Sequence, residues 1–358
     1  MNTLVLLPTN AGLHYARIAV GASSGREAPA GDSVRGIASS VAGLARLLAD
    51  TPDGRAIDVL ALRALYGGVD FPGPVIVDDQ TRARLAALGA SAPLDVASTR
   101  TLIDEARAAF PGIPVGLAFE TSFFVPLPVR ETTYALPGGA LPPVRRWGYH
   151  GLYHDAATAA LAQDLGPGQR PARMLSICLE PRPEIAAVLG RHPLVVTGGS
   201  TPVEGLPGER NCGEIDPAIP LALAADPAFG PERANLLLTR ESGFLGMLGY
   251  PATLAQVLAA RRGRVARVRE HLLYQMALAA GSGLAALAGL DGVVFSGRYA
   301  GCGPTVAAEL VPKIERVLGR PAGSLPWRIF PAPLAALVAE AVVEALLKSR
   351  PAHGVAAA

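Results

Sequence analysis

The stretch RRWGYHGLYHD, Arg145 to Asp155, crowds two arginines, two histidines and several aromatic rings around glycines, in a chain with six histidines among 358 residues. Guanidinium and imidazole groups donate hydrogen bonds and carry positive charge, so the stretch is suited to holding an anion or moving a proton. His150 and His154 are four residues apart, a spacing that sets both on one helical face and would suit a metal. The glutamate of an HExxH site is absent, however, which argues against zinc. A structural histidine, hydrogen-bonded beside a glycine turn, fits the same residues equally well.

Side chains of this kind need rigid elements to aim them. TLVLL, a turn and HYARIAV read as a strand pair that opens the first domain. Helical Ala/Leu stretches (Ser40 to Ala49, Thr81 to Leu88, Thr101 to Phe110) alternate with the apolar strands IDVLALRAL and VGLAFETSF, an α/β pattern. Beyond the Pro/Gly-rich LPGGALPPVRR come strands RMLSICLE, EIAAVLG and LVVTGG, then long helical segments and the strand DGVVFSG. WRIFPAP supplies a last strand, and Leu334 to Lys348 carries apolar residues at helical spacing. The expected division is 1–145 and 146–331, both α/β.

At 358 residues the chain is long enough for two cores. No apolar run reaches the ~18 residues a membrane span requires, and MALAAGSGLAALAGL, Met276 to Leu290, reads as a buried helix. The opening MNTLVLLPTN has no basic segment and is broken by Pro8, so cytoplasmic residence is expected. Cys178, Cys212 and Cys302 form no CxxC pattern, which points to reduced thiols. A net charge of +2 gives no footprint for nucleic acid, and the arginines of Arg261 to Glu270 read as a solvated helix face.

RRWGYHGLYH resembles RRYGFHGTSH of the acetate kinase family, and TPVEGLPGERNCGEIDP resembles its TPLEGLMMGTRSGDIDP without a gap. FETSFFVPLP, LRALYGG, APLDVA, ESGFLGMLG and DGVVFSGRYAGCG resemble further family motifs, in the family's order. The resemblance implies the actin-like, sugar-kinase-like (ASKHA) fold: two related α/β domains around a cleft, with the last helix, 332–349, returning to the first. It implies ATP, Mg²⁺ and a short carboxylic acid as ligands, an acyl phosphate as product, and a homodimer. By resemblance His150 stabilises the moving phosphoryl group, Arg63 holds the carboxylate or its phosphate, and Glu120 stands for an aspartate that holds Mg²⁺ through water. Leu65, Leu94, Tyr149 and Pro202 take the positions of the apolar acid pocket, whereas His154, Arg145 and Arg146 read as structural.

The nucleotide side departs from the pattern. The family's HLGNG phosphate loop falls on CLEPR, so that Cys178, Glu180 and Pro181 replace His, Gly and Asn. Proline offers no N–H and a carboxylate repels phosphate, while Arg182 offers a guanidinium in partial compensation. Leu7 replaces an asparagine of the opening turn, with Asn10 as a substitute if that turn is rearranged. Gly297 keeps its place in the loop after DGVVFS, but Gly301 replaces a glutamate. Asn211 replaces the family's second arginine, which a one-residue shift would restore through Arg210. Asp95 replaces a histidine. Two readings follow: a phosphotransferase with an altered donor, such as pyrophosphate, or a pseudokinase that binds a small carboxylate or acyl phosphate.

Overall fold

The computed structural model describes residues 1–9, 12–21, 35–49, 56–89, 92, 96–137 and 144–349. The chain forms two compact units, Met1–Ser122 with Ala332–Ala358, and Phe123–Pro331.

In the first unit the apolar runs become strands β1 (Asn2–Thr9), β2 (Gly12–Ala19), β3 (Arg35–Ala38), β4 (Val59–Ala64), β5 (Val75–Ile76) and β6 (Val115–Phe119). They pair in the order β3-β2-β1-β4-β6-β5. β1 to β3 form an antiparallel meander, and β4 and β6 run parallel to β1, with Leu4 opposite Leu60 and Leu62 opposite Leu117. Helices α1 (Val41–Ala49), α2 (Asp79–Leu88) and α3 (Ala97–Ala109) belong to this unit. Asp78 caps α2 by accepting the Thr81 N–H at 2.7 Å, which sets the start of that helix.

The second unit repeats this arrangement. It runs through α4 (Val129–Thr132), α5 (Gly151–Leu165), β7 (Arg173–Cys178), β8 (Glu184–Leu189), β9 (His192–Val196) and the short helices α6 (Ala218–Ala225), α7 (Gly230–Leu236), α8 (Gly243–Leu248) and α9 (Leu254–Ala259). It continues through α10 (Gly263–Leu287), β10 (Gly292–Ser296), α11 (Gly303–Val317) and β11 (Trp327–Ile329). β7, β8 and β9 are again an antiparallel meander, and β10 and β11 are parallel to β7, in the order β11-β10-β7-β8-β9. The final helix, α12 (Leu334–Ser349), buries Leu337, Val338, Val342 and Val343 and packs on β1 and β6.

The division falls at Ser122/Phe123, earlier than the 145/146 expected from the Pro/Gly-rich passage. Packing explains the difference. Phe124 is fully buried, its ring meets His154 edge-on at 5.7 Å, and Arg145 donates to its carbonyl at 3.0 Å. The Val196 N–H donates to Glu131 at 3.2 Å, and the Arg146 N–H donates to the Thr132 carbonyl at 3.0 Å, so this segment belongs to the second unit.

Each unit has its own apolar cluster, one around β1, β4 and β6 and the other around β7, β10, α10 and α11. Burying one such Leu or Phe side chain contributes about 1.5–3 kcal/mol. The arginine-rich stretch opens α10 with Arg261, Arg262, Arg264 and Arg267 exposed, while Arg269 pairs with Glu309 at 2.7 Å. None of the three cysteines forms a disulfide. No helix among the described residues is long and apolar enough to cross a membrane.

Candidate functional site

In the first unit the carboxyl ends of β4 and β6 lie side by side, with Arg63 opposite Ala118 and Ala64 opposite Phe119. This register puts Glu120 next to Arg63. The Arg63 Nε donates to Glu120 Oε1 at 2.6 Å, with the Arg side chain 14% and the Glu side chain 0% exposed. A fully buried carboxylate is tolerable only with such a partner, and the pairing fixes one edge of the guanidinium. Leu65 follows, half-buried, in the loop whose Gly67 N–H donates to Thr121 Oγ1 at 3.0 Å. Asn10, Leu94 and Asp95 lie outside the described residues.

In the second unit α5 starts at the opening motif. Gly148 is required because a Cβ there would come within 2.2 Å of the Phe124 ring. Arg145 stacks over Trp147 at 4.1 Å, and Arg146 pairs with Glu204 at 2.8 Å, so both arginines serve as scaffold. Tyr149 is buried and its hydroxyl donates to the Ser200 carbonyl. His150 is the N-cap residue of α5, 7% exposed, and its Nε2 stands 3.0 Å from the Arg182 carbonyl. A carbonyl only accepts, so Nε2 carries the proton of that bond. Tyr149, His150, Arg182, Pro202, Glu204 and Leu206 line a small pocket of about 10 Å³, roughly room for one water molecule.

Behind His150 lies a group that the sequence reading missed. Glu184, the first residue of β8, accepts the backbone N–H groups of Tyr149 at 2.9 Å and His150 at 3.1 Å. His154 Nε2 is 3.2 Å from its Oε1, within ion-pair reach but off the line of a hydrogen bond, and His154 Nδ1 meets Ser176 Oγ at 2.8 Å. Burial alone would push the Glu184 carboxyl up. The His154 ring, the charge of His150 and the Tyr149 N–H together outweigh burial and hold it below its ordinary value. The available signal was a lone glutamate opening the apolar run EIAAVLG.

The CLEPR turn joins β7 to β8, since Cys178 pairs with Glu184 in the ladder. It docks on the loop after β10: the Leu179 N–H donates to the Ser296 carbonyl at 2.8 Å, and the Tyr299 N–H donates to the Leu179 carbonyl at 2.9 Å. Gly297, at φ +92°, makes that loop. Glu180 is 8% exposed and accepts the Arg298 N–H at 2.6 Å, with the Arg298 Nε at 3.8 Å from its other oxygen. The carboxylate thus occupies a backbone donor at the place where the resemblance puts phosphate. Gly301 is exposed on the turn before α11.

The same turn is closed from a third side. The Pro181 carbonyl accepts the Glu209 N–H at 2.8 Å, and Glu209 Oε1 accepts the Tyr299 hydroxyl at 2.8 Å and the Leu254 N–H at 2.9 Å. Burial, then the Glu209 contact, pushes the Tyr299 hydroxyl up to about 12. Asn211 is 2% exposed, and its Nδ2 donates to the Leu206 carbonyl at 3.4 Å, which makes it part of the loop's frame. Arg210 is exposed, and its carbonyl accepts the Ser242 N–H at 3.1 Å.

These observations test the implied cofactors. A triphosphate needs converging donors, and here one is filled by Glu180, one is missing at Pro181, and the turn is packed on the loop after β10. The residues present do not fit it. Glu120 is committed to Arg63, and among the described residues no group of three or more His, Cys, Asp or Glu side chains stands together as a metal cage.

The Acetokinase family model matches residues 16–319. An acetate kinase of Rhodopseudomonas palustris is 32% identical over 236 residues, 66% of this chain and 59% of that protein. An acetate kinase of Dictyoglomus thermophilum is 30% identical over 282 residues, 76% of this chain and 71% of that protein. The chain thus spans less than two thirds of the first of these relatives. Among solved structures, Porphyromonas gingivalis acetate kinase superposes with a TM-score of 0.80 at 21% identity, covering 96% of this chain and 99% of that one. A propionate kinase from Francisella tularensis gives 0.80 at 20% identity, covering 95% and 98%. The chain belongs to the acetokinase family, and its fold is the actin-like, sugar-kinase-like one of these enzymes.

Proposed function

We propose that the protein is a phosphotransferase acting on a short-chain carboxylic acid or its acyl phosphate, with a phosphoryl partner other than an ordinary nucleoside triphosphate. The observation that carries this reading is Arg63, whose Nε edge is fixed by the buried Glu120. A guanidinium anchored in this way is oriented before the ligand arrives and takes a carboxylate or phosphate with its remaining N–H groups. The family resemblance assigns the acid's apolar contacts to Leu65 and Leu94 of the first unit and to Tyr149 and Pro202 of the second, and this assignment is part of the proposal. A slot of this type separates acids by only ~1–3 kcal/mol per methylene, so acetate, propionate and butyrate all enter.

His150 is the group that meets the phosphoryl oxygens. With Nε2 donating to the Arg182 carbonyl, a second donation from the ring requires its doubly protonated form. Arg182 adds positive charge beside it, and a compact donor such as pyrophosphate asks for fewer contacts than a nucleotide. The same reading makes the protein a cytoplasmic homodimer with a small acid as its ligand and with no nucleic-acid or membrane partner.

The experiment is a phosphoryl-transfer assay with acetate, propionate and butyrate against ATP, GTP and pyrophosphate. Transfer from pyrophosphate with little from the nucleotides is expected, and efficient transfer from ATP would contradict the proposal. A second reading, a pseudokinase that binds the acid or acyl phosphate without turnover, is favoured by the Glu180 carboxylate on the Arg298 N–H. Acetyl phosphate binding without transfer from any donor would select it.

A further inference from the structure

We infer that Glu184 is a positioning residue for His150: its buried carboxylate takes the backbone N–H groups that open α5 and so fixes where the His150 ring stands. The inference rests on the reading of His150 given above.

An N-cap residue usually caps its own helix with a short polar side chain, which contributes about 1 kcal/mol. His150 makes no side-chain cap bond. The cap comes instead from β8, 34 residues away in sequence, and the negative charge lies at the positive end of a 15-residue helix. Position 150 is therefore relieved of capping, and its ring is left for the Arg182 carbonyl and the pocket.

The surroundings of the carboxylate are built. His154, one turn along α5, stands against Oε1, and its own ring is held by Ser176 of β7, with His154 and Ser176 both 0% exposed. Gly198, beyond β9, leaves the space for Oε2, since a Cβ there would lie 2.6 Å from that atom. A hydrophobic side chain at position 184 would avoid the desolvation cost of a buried charge but would leave the Tyr149 and His150 N–H groups without their acceptor.

Its charge has a second consequence. The ionisable groups around His150 are Glu184 and His154 behind it and Arg182 and Glu204 around the pocket. A carboxylate kept ionised at this depth favours the doubly protonated His150 ring, the form with a donor to offer once Nε2 is engaged.

The test is side-chain NMR of the full chain with isotope-labelled histidine, the His150 signal being assigned by its loss in His150→Gln. Glu184→Gln keeps the size and an acceptor oxygen and removes the charge. The His150 ring is expected to take up its second proton roughly 1 pH unit lower in Glu184→Gln than in wild type, with Glu184→Asp restoring part of the difference. An unchanged midpoint overturns the inference. If Glu184→Gln does not fold, the wild type decides: the Tyr149 and His150 amide signals should move together with one acidic midpoint while amides further along α5 stay still, and amides that do not move overturn the inference. Calorimetry with acetyl phosphate separates this outcome from the proposed function. A His150 shift without acetyl phosphate binding supports the positioning role and refutes that function, whereas binding without the shift does the reverse.

Discussion

The end of β4 and the turn after β7 each bring a buried carboxylate to an arginine, with opposite results. Glu120 takes one edge of the Arg63 side chain, which fixes the guanidinium and leaves its other edge for the proposed ligand. Glu180 takes the backbone N–H of Arg298 and lies 3.8 Å from its side chain, so it removes a donor and offsets a charge. A carboxylate behind a cation prepares an anion site; a carboxylate in front of backbone donors fills one. The effect depends on which donor the oxygen occupies.

The largest effect that sharpens this contrast is expected from Arg63→Ala. It leaves Glu120 buried without its cation, at a cost of roughly 3–5 kcal/mol by urea unfolding, and it abolishes acetyl phosphate binding by calorimetry. Wild-type stability with retained binding would show that the pair neither anchors nor serves. His150→Ala comes next, with turnover lowered on the order of 10²–10³-fold, measured as acyl phosphate formation. Retained turnover would move the site elsewhere.

Glu180→Gln tests the other half of the comparison. Removing the charge while keeping an acceptor should raise the affinity for Mg·ATP about tenfold, equivalent to roughly 1.4 kcal/mol. No gain would mean that the turn excludes nucleotide by its packing and not by its carboxylate.

The smallest effect is one of pH. The folded-state value of Glu184 is depressed from 4.5, so its contribution to stability is complete above that value and is lost as pH falls through the lower, folded one. Urea unfolding at a series of acidic pH values should show a component of this loss that is missing in Glu184→Gln. Identical pH profiles would mean that Glu184 is not ionised in the folded protein.

Much of the fold was legible because buried parallel strands announce themselves: VLALRA and GVVFS are nearly uninterrupted apolar runs that appear as β4 and β10. The expected division at 145 differs from the clustering at Ser122/Phe123 because Pro and Gly mark loops, not packing, and Phe124 already packs on His154 in the second unit ahead of that loop. The short strands β3 and β5 and the helices α6 to α9 escaped for lack of sustained periodicity. At the site, the departure of CLEPR from the family's HLGNG was readable letter by letter. The Glu184–His154–Ser176 group was not, because it joins a helix to two strands by contacts 22 to 35 residues apart in sequence that no local spacing encodes.

The central claim is that this chain keeps an anchored arginine for a small acid while its own carboxylate occupies the phosphate turn. Calorimetric titration of the wild-type protein with acetyl phosphate and with Mg·ATP, side by side, tests it most directly. The account predicts heat of binding for acetyl phosphate and none for Mg·ATP at micromolar concentrations; micromolar Mg·ATP binding would contradict it.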